Sequence, residues 1–545
     1  MMSADFMMTQ LQETIKTAIQ TRLWSDILPP ASFYFLSLPI LLLLVGGLVT
    51  MLLGVFKTDP DKPCYPSWYV AVFVSFAAAV FAIFSKISTP KAFLGSGVLI
   101  DDISRMSFIV IAIGTLFTLM ASSMTKIGKQ LLRSELLTLI LFSSAGLMVM
   151  CAAGEFLSFF VGLELTSISL YVLVGYQRRT LQGMEASIKY FILGAAAAAM
   201  LLMGAALIYA SIGSLRFADF RLLNISFSNP FGLAGVLLIF SGLAFKLAIA
   251  PFHSWAPDVY QGANSHLTGY MASLVKFSVA IVILRILSVS FGDGEKTGLI
   301  IVFWIFGAVS IAVGSLFGLV HNSIKRILAY SSVANAGYFC LAFASLAADP
   351  TSLESKQSLM SYAVIYAVLS MGAFTVISWL EDSNREDLLK EELAGIGSKK
   401  PFAAVTLSVF LFGFAGIPPI AGFFGKFFLL LSALNQGFIG LSIILVLFSC
   451  LSLYYYLSIM AEMWFKPATR YSAQSNQSEE TNSGMKAVSF IAAFAAIVIG
   501  IMGPRWAINL NYTQASEKNM RIVNTANSVH NNANSKNENV ISNPK

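Results

Sequence analysis

The chain has 545 residues, of which 57% are apolar and only 12% charged, with a mean hydropathy of +0.74 and a formal net charge of +7. Soluble domains carry about 25% charged residues, so too few charges are present to coat a globular surface, and a soluble multidomain enzyme is excluded. The positive balance is read as basic loops at an anionic membrane face rather than as a nucleic-acid surface.

Residues 1–30 form an N-terminal arm with an amphipathic stretch from Met8 to Leu23; it carries Glu13 and lacks the apolar core and cleavage site of a signal peptide. A spanning helix uses about 20 residues, so about fourteen crossings account for the apolar content. The runs are 32–56, 67–87, 106–124, 136–153, 155–176, 189–212, 231–262, 265–290, 297–320, 325–347, 358–380, 402–436, 438–463 and 485–503. The polar tail, 504–545, rich in Asn and Ser towards its end, is expected to be disordered. An even number of crossings puts both termini on one side. Lys126, Lys129, Arg178, Arg179, Lys325, Arg326, Lys399 and Lys400 fall in one set of alternating loops, and the other set is poor in Lys and Arg. The rich set faces the cytoplasm by the positive-inside rule, which puts both termini outside.

Two runs contain helix breakers. The seventh passes from Lys246 through Pro251 and His253 to Pro257, and the twelfth contains Gly416, Pro418, Pro419 and Gly422. Proline removes a backbone donor and clashes with the preceding turn, so helices 7 and 12 should be discontinuous. In lipid such a break persists only where protein or a wet cavity surrounds it. The breaks lie five spans apart, an odd offset that makes the two helices antiparallel and points to an inverted repeat. The expected fold is an all-α polytopic membrane protein. Its units are the first three helices (31–135), two inverted five-helix halves (136–290 and 297–463), helix 14 (485–503) and the tail.

Ionisable groups inside apolar runs mark functional sites by default. Glu164, Lys246, Lys276 and Lys426 stand out in this way. Burial disfavours the charged form of a lysine and a nearby carboxylate restores it, so a lysine whose partner approaches and withdraws loads and releases a proton. Moving one charge against about 180 mV takes about 4 kcal/mol, the same magnitude as a thousandfold change in proton affinity. The competing explanations are side chains that snorkel to the interface and static pairs that fix helix register.

His253, just after the first break, is a possible proton relay, or else a histidine bonded to freed carbonyls. Glu185 and Lys189 read as an exposed i,i+4 pair, and Asp258 as a cap for the half-helix that follows it. Glu135 and Asp101 sit at span ends, where solvation explains them. Cys64, Cys151, Cys340 and Cys450 lack metal-ligand spacing, and the histidines are scattered, so neither a metal nor a bound cofactor is expected in this chain. The glycines form no phosphate-binding motif.

At five places the sequence resembles the subunit N family of antiporter-like membrane subunits in the bacterial proton-translocating NADH-quinone oxidoreductase, complex I. These are Phe160 to Leu165, Glu185 to Tyr190, Phe245 to Lys246 with Pro251 to Gly262 (PFHSWAPDVYQG), Ile324 to Ser332 (IKRILAYSS), and Ala415 to Phe427 (AGIPPIAGFFGKF). The resemblance extends over about residues 30–465. It implies that Glu164, Lys246, Lys276 and Lys426 form a polar axis at the bilayer midplane, with Glu164 and Lys246 as the coupled pair. His253 matches the histidine after the break. Asn264, Ser265 and His266 replace the prolines usual after Gly262 and Ala263, which suggests a less rigid loop into the eighth span, and His321 and Asn322 replace a more usual small or amide pair.

The resemblance further implies a translocase subunit that moves protons through the Glu/Lys relay while quinone is reduced elsewhere. NAD, FMN, iron-sulfur clusters and quinone would then belong to partner subunits, and the partners would be other membrane subunits, including sister antiporter-like ones, and the lipid bilayer. The alternatives are a subunit of a multisubunit cation/proton antiporter or of a membrane-bound hydrogenase, and a purely structural membrane subunit with static ion pairs.

Overall fold

The computed structural model describes residues 31–56, 62–85, 87, 90–94, 96–125, 128–176, 181–223, 229–288, 293–381, 387–468 and 483–502. The N-terminal arm and the polar tail expected from the sequence lie outside these residues. Among the described residues, thirteen helices are long and apolar enough to cross a membrane, and two shorter apolar helices, Pro401–Ala415 and Ala421–Asn435, stand at the place of the twelfth predicted span. These correspond to the fourteen predicted spans.

Spans 1 to 6 are Leu38–Val55, Tyr65–Phe84, Asp102–Met124, Ser134–Cys151, Phe156–Val174 and Leu181–Ile212. Span 7 is Pro230–Leu247, then a break, then Trp255–Gly262. Span 8 runs from Ser265 to Leu287. Spans 9 to 11 are Asp293–Val320, Ile324–Ala348 and Leu353–Leu380; span 12 is the divided pair; spans 13 and 14 are Ile439–Phe465 and Ser483–Met502. Span 6 begins eight residues earlier than its apolar run, because the Glu185–Lys189 pair, one helical turn apart at 2.6 Å, lets the helix continue into a polar region. Several starts carry side-chain caps: Asn229 accepts from Gly232 N with Pro230 following, Ser323 from Arg326 N, and Ser352 from Ser355 N.

Both predicted breaks are present. Ala248, with φ +57°, ends the first half of span 7, and Gly416, with φ +83°, ends the first half of span 12. Each places a left-handed residue where the helix stops, the usual way to satisfy the last carbonyls. A two-stranded antiparallel hairpin, Lys91–Phe93 with Val98–Ile100, joins spans 2 and 3.

Span 8 is buried along its whole crossing, and spans 10 and 11 nearly so, whereas spans 1, 6 and 13 present much of their surface outwards. A helix that is apolar all round belongs in the core of a bundle. The outward faces carry large apolar groups such as Phe73, Phe191, Leu447 and Phe494, which suit lipid or partner helices and not water. The most enclosed helices are therefore those that hold the central lysine.

Three sequence expectations are corrected. Asp101 is not solvated: it is fully buried, caps span 3 by accepting from Ser104 N at 2.9 Å, and pairs with Arg285 of span 8 at 2.7 Å. Arg285 lies among the aliphatic residues of span 8, near its end. Its Nε also donates to the Cys151 carbonyl, tying the ends of spans 3, 4 and 8 together. The segment Asn264–His266 is not a loose loop. Asn264 accepts from His266 N, Ser265 Oγ donates to Glu381 at 2.7 Å, and His266 Nε2 meets Thr125 Oγ1 at 2.8 Å, all three residues being buried. Side-chain hydrogen bonds thus supply the rigidity that prolines would have supplied. Asp258 lies inside the half-helix Trp255–Gly262, whose N-cap position is Ser254, and bridges Lys189 at 2.7 Å and Arg326 at 2.6 Å, so the Glu185–Lys189 pair belongs to a network joining spans 6, 7 and 10. Glu135 is exposed, as expected.

Candidate functional site: a row of buried lysines

Lys246 lies in the last turn of the first half of span 7 and is 3% exposed. Its Nζ donates to Ser167 Oγ at 2.8 Å and lies 3.5 Å from the Tyr171 hydroxyl; the Tyr171 and Tyr190 rings stand 5.4 and 5.7 Å from it. Glu164, Ser167 and Tyr171 follow one another at helical spacing on span 5, and so share a face. Lys246 therefore meets the serine of this stripe and not its carboxylate. Glu164 interacts with Lys246 electrostatically, while its Oε1 is buried with no hydrogen-bond partner among the described residues. Trp255 connects the far side of the break to this group, its Nε1 donating to the Phe245 carbonyl at 2.9 Å and its ring stacking on Tyr190 at 4.9 Å.

Lys276 is 1% exposed and follows a π-helical turn, Met271–Val275, inside span 8. Such turns insert one extra residue into a helix and are frequent at functional sites. The Lys276 amine donates to the Ser332 carbonyl at 2.9 Å and to Ser332 Oγ, which also accepts from the Tyr366 hydroxyl at 2.9 Å.

Lys426, in the second half of span 12, reaches back across the break. Its Nζ donates to the Phe414 carbonyl at 2.7 Å and to Ser449 Oγ at 2.9 Å, and sits 5.0 Å from the Tyr338 ring. The final carbonyls of a helix lack intrahelical partners and form the negative end of its dipole, so the break itself creates the cation's seat. Gly422 makes this geometry possible: a methyl group there would collide with the Gly413 carbonyl. Gly422→Ala is expected to force the two half-helices apart, at a cost of ~1–3 kcal/mol typical of overpacking. Thermal unfolding of the purified chain measures the loss.

Between Lys276 and Lys426, span 10 presents Ser331, Ser332, Asn335 and Tyr338. Asn335 donates to the Ser331 carbonyl at 2.7 Å and accepts from the Tyr362 hydroxyl at 2.7 Å, and Ser331 bonds Tyr456. These residues are neutral and so are not conspicuous as charges in an apolar run. Their recurrence along one helical face of an otherwise apolar run is the signal that reveals them. Among the described residues, His253 lies in the first break beside the Pro251 backbone, with Nδ1 unpartnered; Lys246 binds Ser167 and Tyr171 instead. Lys325 and Glu381 form a further buried pair at 2.9 Å, at the ends of spans 10 and 11, where Ser265 bonds the same carboxylate.

Discontinuous helices holding a row of enclosed lysines in a bundle of about fourteen crossings define an antiporter-like membrane subunit. Residues 153–452 match the family model described as the membrane part of NADH:quinone oxidoreductase and Mrp antiporters. NADH-quinone oxidoreductase subunit N of Trichlorobacter lovleyi is 36% identical over 435 residues, 79% of this chain and 87% of that protein, and its counterpart in Rhodospirillum rubrum is 35% identical over 440 residues, 79% and 88%. The chain belongs to the NADH-quinone oxidoreductase subunit N family. A chain of respiratory complex I from Thermus thermophilus shares its fold with a TM-score of 0.71 at 28% identity, covering 85% of this chain and 97% of that one. The Mrp complex from Dietzia superposes with a TM-score of 0.75 at 20% identity over 88% of this chain and 97% of that one, which bears on the fold alone.

Proposed function

We propose that the chain moves protons across a bacterial inner membrane as a subunit of NADH-quinone oxidoreductase, through a relay of Glu164, Lys246, Lys276 and Lys426. The observation that carries this reading is the seating of three lysine amines in enclosed sites lined by hydroxyls, carbonyls and aromatic faces, without a direct carboxylate partner for Lys276 or Lys426 among the described residues. Static charges in such sites are held by close counter-ions; a proton carrier needs instead a neighbour that stabilises it incompletely. Glu164 supplies that bias to Lys246. Movement of span 5 relative to span 7 would bring the carboxylate to the amine or withdraw it, loading or releasing the proton. Lys276 passes it along the Ser332, Asn335 and Tyr338 face, and Lys426 releases it outward.

In this reading residues 136–290 and 297–463 act as two inverted halves, each with one broken helix, and both termini face the periplasm. NAD, FMN, iron-sulfur clusters and quinone belong to partner subunits, and the outward apolar faces of spans 1, 6 and 13 meet lipid or sister antiporter-like subunits. His253 is a candidate relay at the break.

Lys246→Ala in the assembled complex, reconstituted in vesicles, is expected to lower the protons moved per NADH oxidised. An unchanged yield removes Lys246 from the relay. Sodium-driven transport by a complex lacking NADH-dependent quinone reduction would instead favour a cation/proton antiporter.

A further inference from the structure

Tyr260 occupies the second half of span 7, between the two lysine sites. It is fully buried, and its ring packs against Trp255 at 6.0 Å and Phe374 at 5.9 Å. Its hydroxyl makes no hydrogen bond of ordinary length among the described residues, although Ser332 lies near enough to interact with it, whereas the buried hydroxyls of Tyr270, Tyr362, Tyr366 and Tyr456 are all bonded. A buried hydroxyl left without a partner is destabilising, and a phenylalanine of the same shape would remove that cost. Something other than packing accounts for the oxygen.

Its surroundings indicate what. On one side lies Tyr190, whose ring meets Tyr171 at 4.8 Å and Trp255 at 4.9 Å, the Trp255 ring in turn meeting Tyr260 at 6.0 Å; Tyr171 is the hydroxyl beside Lys246. On the other side the Tyr260 hydroxyl faces Ser332 and Tyr366, the two residues that seat Lys276. Among the described residues no continuous series of hydrogen bonds joins the Lys246 group to the Lys276 group, and Tyr260 stands in that interval.

We propose that the Tyr260 hydroxyl is the proton-passing link between Lys246 and Lys276. A hydroxyl both donates and accepts. The proton leaving the Lys246 ammonium is taken up on the oxygen of Tyr171 as that residue gives its own hydrogen to Tyr190. Tyr190 and Tyr260 repeat the exchange, Ser332 takes the hydrogen from Tyr260 and gives its own to the Lys276 amine. Lys246 ends as a neutral amine and Lys276 as an ammonium, and each hydroxyl is neutral before and after. This inference rests on the relay reading above.

The test compares Tyr260→Phe, Lys246→Ala and the double variant in the assembled complex reconstituted in vesicles, reading protons moved per NADH oxidised and normalising to assembled complex. Tyr260→Phe keeps the ring packing, so assembly is expected to be unchanged while the yield falls to that of Lys246→Ala, and the double variant falls no further, because residues of one path do not add. A full yield from Tyr260→Phe alongside a reduced one from Lys246→Ala overturns the link and leaves the relay standing. An additive loss in the double variant also overturns it, because it assigns the hydroxyl a separate structural role. A full yield from both single variants overturns the relay and the link together.

Discussion

Arg285→Met is expected to cost about 3–5 kcal/mol and to deplete the folded chain, because it strands the Asp101 carboxylate in a site that is 1% exposed. The penalty comes from the charge left behind more than from the contact removed. For the same reason the double variant Asp101→Asn with Arg285→Met is expected to recover most of the loss. Asparagine still accepts from Ser104 N and keeps the cap on span 3, and methionine fills the aliphatic part of the arginine's volume. The amount and thermal stability of the extracted protein distinguish the two cases. If the double variant is as depleted as the single one, the pair is required for its own attraction and not only for mutual neutralisation.

Lys276→Met and Lys276→Arg together carry the largest functional effect. Methionine occupies the lysine's volume without a charge and leaves Ser332 to bond Tyr366 alone. Arginine retains the charge and its capacity to donate hydrogen bonds but stays protonated under all conditions relevant here. Both are expected to remove this subunit's share of the proton yield while complex accumulates, the methionine variant being the less perturbed in assembly. The arginine result separates a proton carrier from a fixed cation: full pumping by Lys276→Arg would mean that a permanent charge suffices and would remove Lys276 from the relay. The measurement is again protons moved per NADH oxidised by reconstituted complex, with the amount of assembled complex determined in parallel.

The parts of the site legible in advance were those that violate their local surroundings. A lysine in an apolar run, or two prolines within one, is conspicuous whatever it touches, and Lys246, Lys276, Lys426 and both breaks were found on that ground. Ser332, Asn335, Tyr260 and Tyr366 violate nothing, because serines, asparagines and tyrosines are tolerated in spanning helices, and their role appears only when the helices are assembled. Asp101 was misread for a related reason. It stands at a helix start, where solvation is the usual fate, and the arginine that buries it lies 184 positions away. The tightness of Asn264–His266 escaped notice because it depends on Glu381 and Thr125 from other spans.

Residue order alone determined the solvent this protein lives in, the number of its crossings and the positions of its two broken helices. Each of these follows from local quantities: the apolar length that a bilayer demands and the donor that proline lacks. Only the tertiary structure decided that Lys426 sits on the carbonyls of its own broken helix, that Lys246 meets a serine while Glu164 stands off, and that a π turn precedes Lys276. Those arrangements depend on which helix faces complement one another in the bundle, a property of pairs of distant segments that no single segment encodes.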